Sequence, residues 1–533
     1  MHRAAPFAVR QGAPRLNQST CNTCKKLVPA STVERDGKVY LVKSCRACGT
    51  SETLISGDAA RYQRKRSLDP GFDYHGCGLN CLACRHKKPN IVFVDITNRC
   101  NLNCPICINN TPSMGFLFEP PLEYFDKVFQ HYSAMDPPPS IQLFGGEPTV
   151  RADLFDIIRK ARSYGLATRV VTNGLKLADE AYCRGLLETK ATILIAYDGA
   201  NRDAYRILRN SEKALDLKQQ ALDNIQRIGK AKVTLMCLAA KGFNDEELPG
   251  LFQFCHDRRE TIRAIYFMPL AHTWNRERFE LEPDRITGED IEQIIANAFP
   301  GDPVHFLPAM FLGEVPTLVK YLNVKPLPFA GAHPNCESMY MLASDGERYR
   351  PLGHFLKSPV EDFARALTKV EERLARRDLR VGLVQAKGGK PTFRQRLLKL
   401  RTILAVTRVM VRHGRLSRVL KGKGLGKAWH ALALPFALAF GRKSQHALER
   451  HTNVQGVLQI IVLPFEDRYT LETERLERCP SGFAFWDPRD GEVKHVPVCA
   501  WGIHKTPVMR AIMDHYNRGG APEPKPVDAV SAV

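Results

Sequence analysis

The sequence has no apolar run of the ~18 to 20 residues that a membrane-spanning helix needs, and it has no internal repeat. Its first residues lack the basic stretch followed by an apolar stretch that an export signal requires. Acidic residues are also scarce, with 56 Asp and Glu against 77 Lys and Arg, so the net charge is +21. We therefore expect neither an integral membrane protein nor a secreted one. The charge predicts an acidic partner: nucleic acid, an anionic membrane surface or a phosphorylated substrate.

Cysteine, in contrast, is abundant: the chain has sixteen. Most of them fall in four tight groups: Cys21 and Cys24; Cys45 and Cys48; Cys77, Cys81 and Cys84; and Cys100, Cys104 and Cys107. Such spacing is typical of metal ligands rather than of a disulfide scaffold, so we expect a reducing, cytoplasmic compartment.

Between residue 91 and about residue 270, short β-rich runs alternate with helical patterns, which indicates parallel βα units. The predicted strands cover residues 91–97, 141–144, 168–172, 192–197, 232–239 and 262–269. Helical patterns such as 154–165 and 215–229 end in a glycine, which suits a helix C-terminus. Six units are too few for a full eightfold barrel. We predict an α/β fold with a partial (β/α)6 barrel, whose active site lies at the C-terminal ends of the strands.

Together with the regions around this core, the sequence predicts that the chain has four parts. A cysteine-rich metal-binding module covers residues 1–90, and the partial barrel covers 91–300. A C-terminal region over 301–520 carries further cysteines and basic amphipathic helices. The tail over 521–533 is rich in Pro, Gly and Ala and should be disordered.

Cys100, Cys104 and Cys107 follow the first predicted strand in a C-x3-C-x2-C pattern. Three thiolates from one loop can bind three irons of a four-iron cluster and leave the fourth iron open to a small molecule. The alternative is a structural zinc site or a fully ligated cluster, although structural zinc normally takes four protein ligands. This loop is the first candidate for catalysis.

Polar or flexible residues follow the next three strands as well. The second strand ends in GGEP, where glycines let the backbone approach a ligand closely and a carboxylate can hold an ammonium group. The third ends in TNG and the fourth in YDG, where helix capping and turn chemistry is the alternative explanation. The candidate cofactor-binding residues are Gly145, Gly146, Glu147, Thr172, Asn173 and Asp198.

Together, these motifs resemble those of the radical S-adenosylmethionine (SAM) superfamily. The resemblance implies that Cys100, Cys104 and Cys107 hold a 4Fe-4S cluster whose open iron binds SAM. It also implies that Glu147 contacts the SAM amino group, and that Asn173 and Asp198 reach its ribose or carboxylate. Reduction of the cluster, by a donor such as ferredoxin or flavodoxin, would then give a 5′-deoxyadenosyl radical that abstracts hydrogen from unactivated carbon.

The remaining clustered cysteines predict further metal sites. CNTC and CRACG, which contain Cys21, Cys24, Cys45 and Cys48, form two C-x2-C pairs that predict one tetrahedral site for zinc or a single iron. Cys77, Cys81 and Cys84 repeat the C-x3-C-x2-C spacing without a matching strand, which favours an auxiliary 4Fe-4S cluster. Cys336, Cys479 and Cys499 are isolated in the sequence but stand beside Pro, Gly and aromatic residues, which suits cluster loops; plain burial is the alternative. Cys183, Cys237 and Cys255 lie inside element patterns and are predicted to be buried hydrophobic residues.

The order of these motifs resembles a radical SAM branch that includes archaeal tetraether lipid synthase and proteins once labelled pterin methyltransferases. That resemblance implies carbon–carbon coupling of lipid chains, a mononuclear iron site and two auxiliary clusters. The chain departs from the pattern, because a cysteine expected shortly before HPNC is missing. Six candidate auxiliary thiolates remain where two clusters need eight, so either one cluster is absent or another atom ligates it.

A basic stretch helps to choose the substrate. Residues 391–450 contain 14 Lys or Arg and one acidic residue, Glu449, interleaved with aliphatic runs. Helices with a cationic and an apolar face lie at membrane interfaces. A nucleic-acid stripe would carry more stacking aromatics and polar readers, so we do not expect nucleic acid as the partner. The stretch favours an anionic membrane surface.

We therefore predict a radical SAM enzyme that modifies or couples long lipid or fatty-acyl chains, located peripherally at the inner face of the membrane. The alternative substrate is soluble: a pterin, a peptide or an RNA base. A metalloprotein that has lost turnover is a further alternative, which the intact cysteine triad and Glu147 disfavour.

Overall fold

The fold is built from two units, each assembled from segments that are far apart in the sequence. The computed structural model describes residues 17–69, 71, 88–109, 114–229, 231–273, 281–322, 331–382, 393–440 and 444–517. The first unit takes its described residues from 1–247, 260–291 and 463–533, and the second from 248–259 and 292–462. The sequence-based boundaries at residues 90, 300 and 520 stay predictions, and the tail lies outside the described residues.

The strands, numbered in chain order, are β1 (Gln18–Thr20), β2 (Leu27–Arg35), β3 (Lys38–Cys45), β4 (Gly49–Ser56), β5 (Ile91–Thr97), β6 (Ser140–Gly145), β7 (Thr168–Thr172), β8 (Thr192–Ala196), β9 (Val233–Ala239), β10 (Ile262–Pro269), β11 (Leu307–Pro308), β12 (Ser338–Ser344), β13 (Tyr349–Pro351), β14 (Val457–Val462), β15 (Ser481–Asp487) and β16 (Glu492–Pro497).

The helices are α1 (Ala59–Arg66), α2 (Leu122–Ser133), α3 (Leu154–Ser163), α4 (Glu180–Glu188), α5 (Arg202–Arg209), α6 (Lys213–Ile228), α7 (Gly250–Asp257), α8 (Gly288–Asn297), α9 (Pro316–Leu322), α10 (Leu352–Phe355), α11 (Val360–Gly382), α12 (Phe393–His413), α13 (Leu416–Val419), α14 (Gly424–Phe440), α15 (Ser444–His451), α16 (Thr473–Glu477) and α17 (Trp501–Asn517).

Six parallel strands form the core of the first unit, in the order β10-β9-β8-β7-β6-β5. They are the six predicted strands, and the α/β fold class is confirmed. Every residue of β5 is buried, as expected for a parallel strand that is covered on both faces. The sheet continues beyond the predicted set, because β15 pairs parallel with β5 and β16 pairs antiparallel with β15.

The N-terminal module is a separate antiparallel sheet of four strands in the order β1-β2-β3-β4. Both cysteine pairs sit at strand connections, the first between β1 and β2 and the second between β3 and β4. Hairpins bring such connections to one end of the sheet, so the local topology already places the two pairs together.

In the second unit, β12 pairs antiparallel with β11, β13 and β14. The basic stretch is helical in its described part, where it forms α12, α13, α14 and α15. Pro435 lies inside α14. Among the helices of the described ranges, none is both long and apolar enough to cross a membrane.

Candidate functional site

The three-cysteine loop leaves β5 at the C-terminal edge of the parallel sheet. Within the loop, the Cys107 N–H donates to the Cys104 carbonyl at 3.3 Å, and the Leu102 N–H reaches the Cys100 sulfur at 3.4 Å. Between the last two cysteines, Ile106 is buried against a cluster that includes Leu208 of α5. The loop is thereby packed onto the barrel rather than standing free.

The surroundings of Cys100 and Cys104 disfavour ionisation of their thiols in the absence of a cation. Although Cys100 is exposed as a whole residue, partial desolvation of its thiol, followed by the charge of Glu147, raises its pKa to about 12. Burial also raises the pKa of Cys104. Together with Cys107, these two cysteines offer a donor set that fits the irons of a cluster, which would stabilise the thiolates.

The GGEP turn lies directly against this loop. A Cβ at Gly145 would be 2.1 Å from the Thr97 carbonyl oxygen, and one at Gly146 would be 2.1 Å from the Arg99 carbonyl oxygen. The Gly146 and Glu147 N–H groups donate to these same two carbonyls, each at 2.8 Å. Both glycines are therefore required for the turn to pair with the cysteine loop.

Glu147 is 1% exposed and is held from several sides. Its Oε1 accepts hydrogen bonds from the Thr149 N–H at 3.0 Å and from the Thr149 and Thr172 hydroxyls, both at 2.6 Å. Its Oε2 accepts from the Asn173 N–H at 2.6 Å. Burial raises the pKa of Glu147, and these hydrogen bonds oppose the rise. The structure thus brings Glu147, Thr172 and Asn173 together, as the strand-end argument expects.

Asn173 also connects to the cysteine loop. Its side-chain amide donates to the Asn101 side-chain oxygen at 2.7 Å, while its own oxygen accepts from the Leu175 N–H at 3.0 Å. A side-chain hydrogen bond therefore joins the turn after β7 to the cysteine loop at the residue after Cys100. Contact of Asn173 with SAM stays a prediction.

Asp198 follows β8 and is 2% exposed. Its carboxylate accepts two hydrogen bonds from Arg209, at 2.8 and 2.9 Å, and one from the Leu238 N–H at 2.9 Å. Burial opposes ionisation, but the Arg209 charge overcomes it and lowers the pKa of Asp198. Arg209 in turn hydrogen-bonds the Cys104 thiol and opposes the rise in the pKa of Cys104 that burial causes. Asp198 thus reaches the cysteine loop through Arg209, and its direct contact with SAM stays a prediction.

Sequence reasoning missed Arg209 and Lys218, which lie on α5 and α6 between β8 and β9. Lys218 had a readable signal, because it occupies the apolar face of α6 together with Leu215, Leu222 and Ile225. A lysine at such a position is buried, and a buried lysine is rarely placed without a functional or ionic reason. Arg209, at the end of α5, carried no comparable signal.

The N-terminal module brings its four cysteines into one group. One sulfur each from Cys21, Cys24, Cys45 and Cys48 lies within 4.8 Å of all the others. Hydrogen bonds from the Cys24 and Thr23 N–H groups lower the pKa of Cys21 to about 6. Four converging thiols, one of them readily ionised, fit a tetrahedral zinc or single iron.

This module docks on the segment that precedes Cys479. Asn17 accepts hydrogen bonds from the Glu474 N–H and the Thr473 hydroxyl, at 3.2 and 3.1 Å, and its amide donates to Glu472 at 2.5 Å. The Ser19 hydroxyl donates to the Leu471 carbonyl at 2.5 Å. The start of α16 is therefore held by the module.

Two further contacts flank Cys479 itself. Before it, Arg478 pairs with Asp69 at 2.6 Å; after it, the Pro480 carbonyl accepts from the Asn90 N–H at 2.7 Å. Asp69 and Asn90 stand on either side of the segment that carries Cys77, Cys81 and Cys84, three residues that lie outside the described residues. Asp69 and Asn90 thus contact the two residues that flank Cys479.

Cys479 and Cys499 lie at the same end of the sheet. Cys479 comes just before β15 and Cys499 just after its antiparallel partner β16. Because Ser481 pairs with Ile91 at the start of β5, this end is the length of β5, roughly 20 Å, from the Cys100 loop. Cys336 precedes β12 in the second unit. The three cysteines predicted to be buried, Cys183, Cys237 and Cys255, are indeed buried.

Comparison with known proteins places this arrangement in a class. The radical SAM superfamily model matches residues 94–255, and the model of the HMPTM N-terminal zinc ribbon domain matches residues 14–57. The chain belongs to the radical SAM superfamily, within the branch related to 7,8-dihydro-6-hydroxymethylpterin dimethyltransferase. The resemblance inferred from the motifs is confirmed, and the family implies SAM and a 4Fe-4S cluster as cofactors.

Individual relatives cover different shares of the chain. The Methanocaldococcus jannaschii protein named 7,8-dihydro-6-hydroxymethylpterin dimethyltransferase is 30% identical over 371 residues, which are 66% of this chain and 73% of that protein. GTP 3′,8-cyclase of Marinobacter nauticus is 29% identical over 199 residues, 36% of this chain and 57% of the cyclase. The solved structure of Streptococcus suis SuiB bound to S-adenosylmethionine aligns at 16% identity with a TM-score of 0.30, covering 39% of this chain and 46% of SuiB. The chain thus spans less than two thirds of the cyclase and of SuiB.

Proposed function

We propose that this radical SAM enzyme modifies or couples long lipid or fatty-acyl chains, working peripherally at an anionic membrane surface. When bound, the cluster and SAM supply a carbon radical that abstracts hydrogen from an unactivated carbon. The protein chain supplies the cysteine ligands of the cluster and the side chains that orient SAM. In this assignment Cys100, Cys104 and Cys107 bind the cluster.

Glu147 holds the SAM ammonium group in the proposed site. Thr149, Thr172 and the Asn173 N–H fix its carboxylate, so the acceptor is oriented before SAM arrives. Arg209, fixed by Asp198, places a permanent positive charge at Cys104. The residues therefore form a preorganised site, in which little rearrangement is needed on binding.

Cys77, Cys81, Cys84 and Cys479 are the proposed ligands of an auxiliary cluster, which is supported by the two contacts that flank Cys479. Cys336 and Cys499 stay candidate ligands. The tetrahedral cysteine group of the N-terminal module is proposed to hold zinc or a single iron.

The observation that carries the lipid assignment is an apolar stripe on α14. Leu425, Trp429, Leu432 and Phe436 are 92%, 65%, 67% and 64% exposed. Their spacing of four, three and four residues puts them on one face of the helix. No described side chain of residues 424–438 is buried. Such a patch on a protein surface marks a binding surface for an apolar partner.

Positive charge lies on α12, the helix that packs against α14. α12 exposes arginines seven residues apart, at Arg394, Arg401 and Arg408, with Leu404 and Val411 also exposed beside them. An anionic bilayer satisfies both features, because its headgroups attract the cations and its acyl region takes up the apolar side chains. Stacking aromatics are few here, which disfavours single-stranded nucleic acid.

Liposome flotation tests the assignment. The full-length protein should float with anionic liposomes, bind neutral ones less well and be released only in part by high salt, since salt screens charge but leaves apolar burial intact. Changing Leu425, Trp429, Leu432 and Phe436 to Ser should abolish flotation. The matched control changes four exposed apolar residues elsewhere to Ser: Val33, Leu281, Met341 and Ile503. Tight RNA binding with steep salt dependence and no flotation would instead favour a soluble substrate.

Methyl transfer to a soluble pterin is the second candidate, and the name of the Methanocaldococcus jannaschii relative is what favours it. Comparing lipid extracts from cells with and without the protein separates the two. A change in long-chain lipids supports the first candidate, whereas an unchanged lipid profile with altered pterins supports the second.

A further inference from the structure

Lys218 is a fully buried cation beneath the proposed SAM site. It lies on the apolar face of α6 and is 0% exposed. Its Nζ donates to the Ala196 carbonyl, at the end of β8, at 2.5 Å, and stands 5.6 Å from the centre of the Tyr205 ring. Taking an ammonium group out of water costs several kcal/mol unless a negative charge compensates it.

The nearby carboxylates are already engaged. Asp198 accepts both hydrogen bonds of Arg209 and one from the Leu238 N–H. Glu147 is held by two threonines and the Asn173 N–H, and in the proposed function it receives the SAM ammonium group. Among the described residues, Lys218 therefore has no carboxylate of its own.

The Lys218 side chain lies at the same edge of the sheet from which the cysteine loop leaves β5. A Cβ at Gly174, in the turn after β7, would be 3.9 Å from the Lys218 Cγ, which places the lysine stem at the C-terminal edge of the sheet. Arg209, from the neighbouring helix, contacts the Cys104 thiol and pairs with Asp198, two residues beyond the Ala196 carbonyl that accepts from Lys218. Desolvation lowers the pKa of Lys218 to about 8, while the charges of Asp198, Cys104 and Glu147 oppose that fall.

We propose that Lys218 is the buried counter-charge of the cluster carried by Cys100, Cys104 and Cys107, and that it stabilises the one-electron-reduced form, which is more negative by one charge. The electron would come from an external one-electron donor such as ferredoxin or flavodoxin, while Lys218 keeps its proton and no group leaves. The inference rests on the proposed ligation by these three cysteines. Lys218 contacts no reacting atom in this role, so it is a positioning charge.

Reduction potential gives the direct test. Lys218→Met and Lys218→Gln are reconstituted anaerobically, and iron content and the cluster absorbance confirm loading before a potentiometric titration. Each neutral variant should shift the reduction equilibrium about tenfold toward the oxidised form, which is about 59 mV to more negative potential for one electron. Lys213→Met, on the exposed start of α6, is the matched control and should titrate like the wild type.

The two variants separate charge from structure. Glutamine can still donate to the Ala196 carbonyl, so an unshifted potential in loaded Lys218→Gln overturns the proposal even if Lys218→Met fails to fold. In the cluster-free protein, the methionine variant should melt no lower than the wild type, because an apolar residue replaces an unpaired buried charge. If the cluster-free variants are less stable than the wild type but their potential is unshifted, Lys218 only stabilises the end of β8 through its hydrogen bond to Ala196. If the cluster stays after Cys100, Cys104 and Cys107 are replaced by Ala, the proposed ligation fails instead, whatever Lys218 does.

Discussion

The two cysteine groups of the first unit differ in how complete they are. In the N-terminal module four sulfurs lie within 4.8 Å of one another, and backbone hydrogen bonds already lower the pKa of Cys21 to about 6. The loop after β5 offers three cysteines, whose sulfurs do not form such a close group, and desolvation and Glu147 raise the pKa of Cys100 to about 12. A closed set of four ligands leaves a metal no position for substrate, whereas three ligands leave one position open. On the proposed assignment, the module's site stabilises a fold and the site after β5 performs chemistry.

The two groups also differ in what surrounds them. The module's cysteines come from two adjacent hairpin connections and need nothing beyond one small sheet. The loop after β5 depends on the ends of several parallel strands, which deliver Glu147, Asn173 and Asp198. It also depends on the half-buried Arg209 of α5 and the buried Lys218 of α6. The reactive site is thus a product of the barrel, and it should be lost by changes that leave the module intact.

Removing the three-cysteine group after β5, which leaves one iron position open, has the largest expected effect. Changing Cys100, Cys104 and Cys107 to Ala should abolish 5′-deoxyadenosine release, because the irons lose all their proposed protein ligands, while the module keeps its metal. Anaerobic reconstitution with iron and zinc counting, and chromatography of the nucleoside product, would check both halves. Undiminished 5′-deoxyadenosine from the triple variant would refute the assignment.

Removing ligands from the four-cysteine group of the N-terminal module should have the opposite effect on the two metal sites. With Cys24 and Cys45 changed to Ser, the module should lose its metal and become sensitive to proteolysis within residues 17–56, since small metal modules fold only around their ion. The cluster absorbance should remain, because β5 is still paired with β6 and β15. Loss of the radical cluster together with the module's metal would show that the two sites are not independent.

Glu147→Gln tests the proposed SAM contact beside the cysteine loop rather than the cluster ligands themselves. Both carboxylate oxygens accept hydrogen bonds, so an amide nitrogen at either position would face a donor and the group would lose its charge. A charge-assisted hydrogen bond contributes about 1.5 to 3 kcal/mol, which predicts a loss of roughly ten- to a hundredfold in SAM affinity with the cluster retained. Equilibrium binding of SAM measures this, with the exposed Glu246→Gln as control. Unchanged affinity would remove Glu147 from the site.

Sequence patterns could predict the strands of the barrel because each is a short β-rich run between turn residues, and β5 ends at Thr97 as predicted. They could also predict that Glu147 and Asn173 meet, since parallel strands end at one edge. They could not predict β15 as the partner of β5, because nearly 400 residues separate the two strands and no local pattern records that pairing. The same holds for Arg209, whose importance depends on a contact with Cys104 across the fold.

The smallest effect concerns the contact between the closed module and the rest of the first unit. Asn17→Ala removes the acceptor of the Glu474 N–H at the start of α16 and the donor to the buried Glu472. A lost helix cap typically costs about 1 kcal/mol in unfolding free energy, and we expect a change of that size. Chemical denaturation of the metal-loaded protein measures it, with Asn297→Ala, an exposed asparagine of the second unit, as control. Both the module's metal and the cluster should stay bound, because Asn17 ligates neither. A destabilisation no larger than the control's would mean that this Asn17 contact does not stabilise the docking of the module on α16.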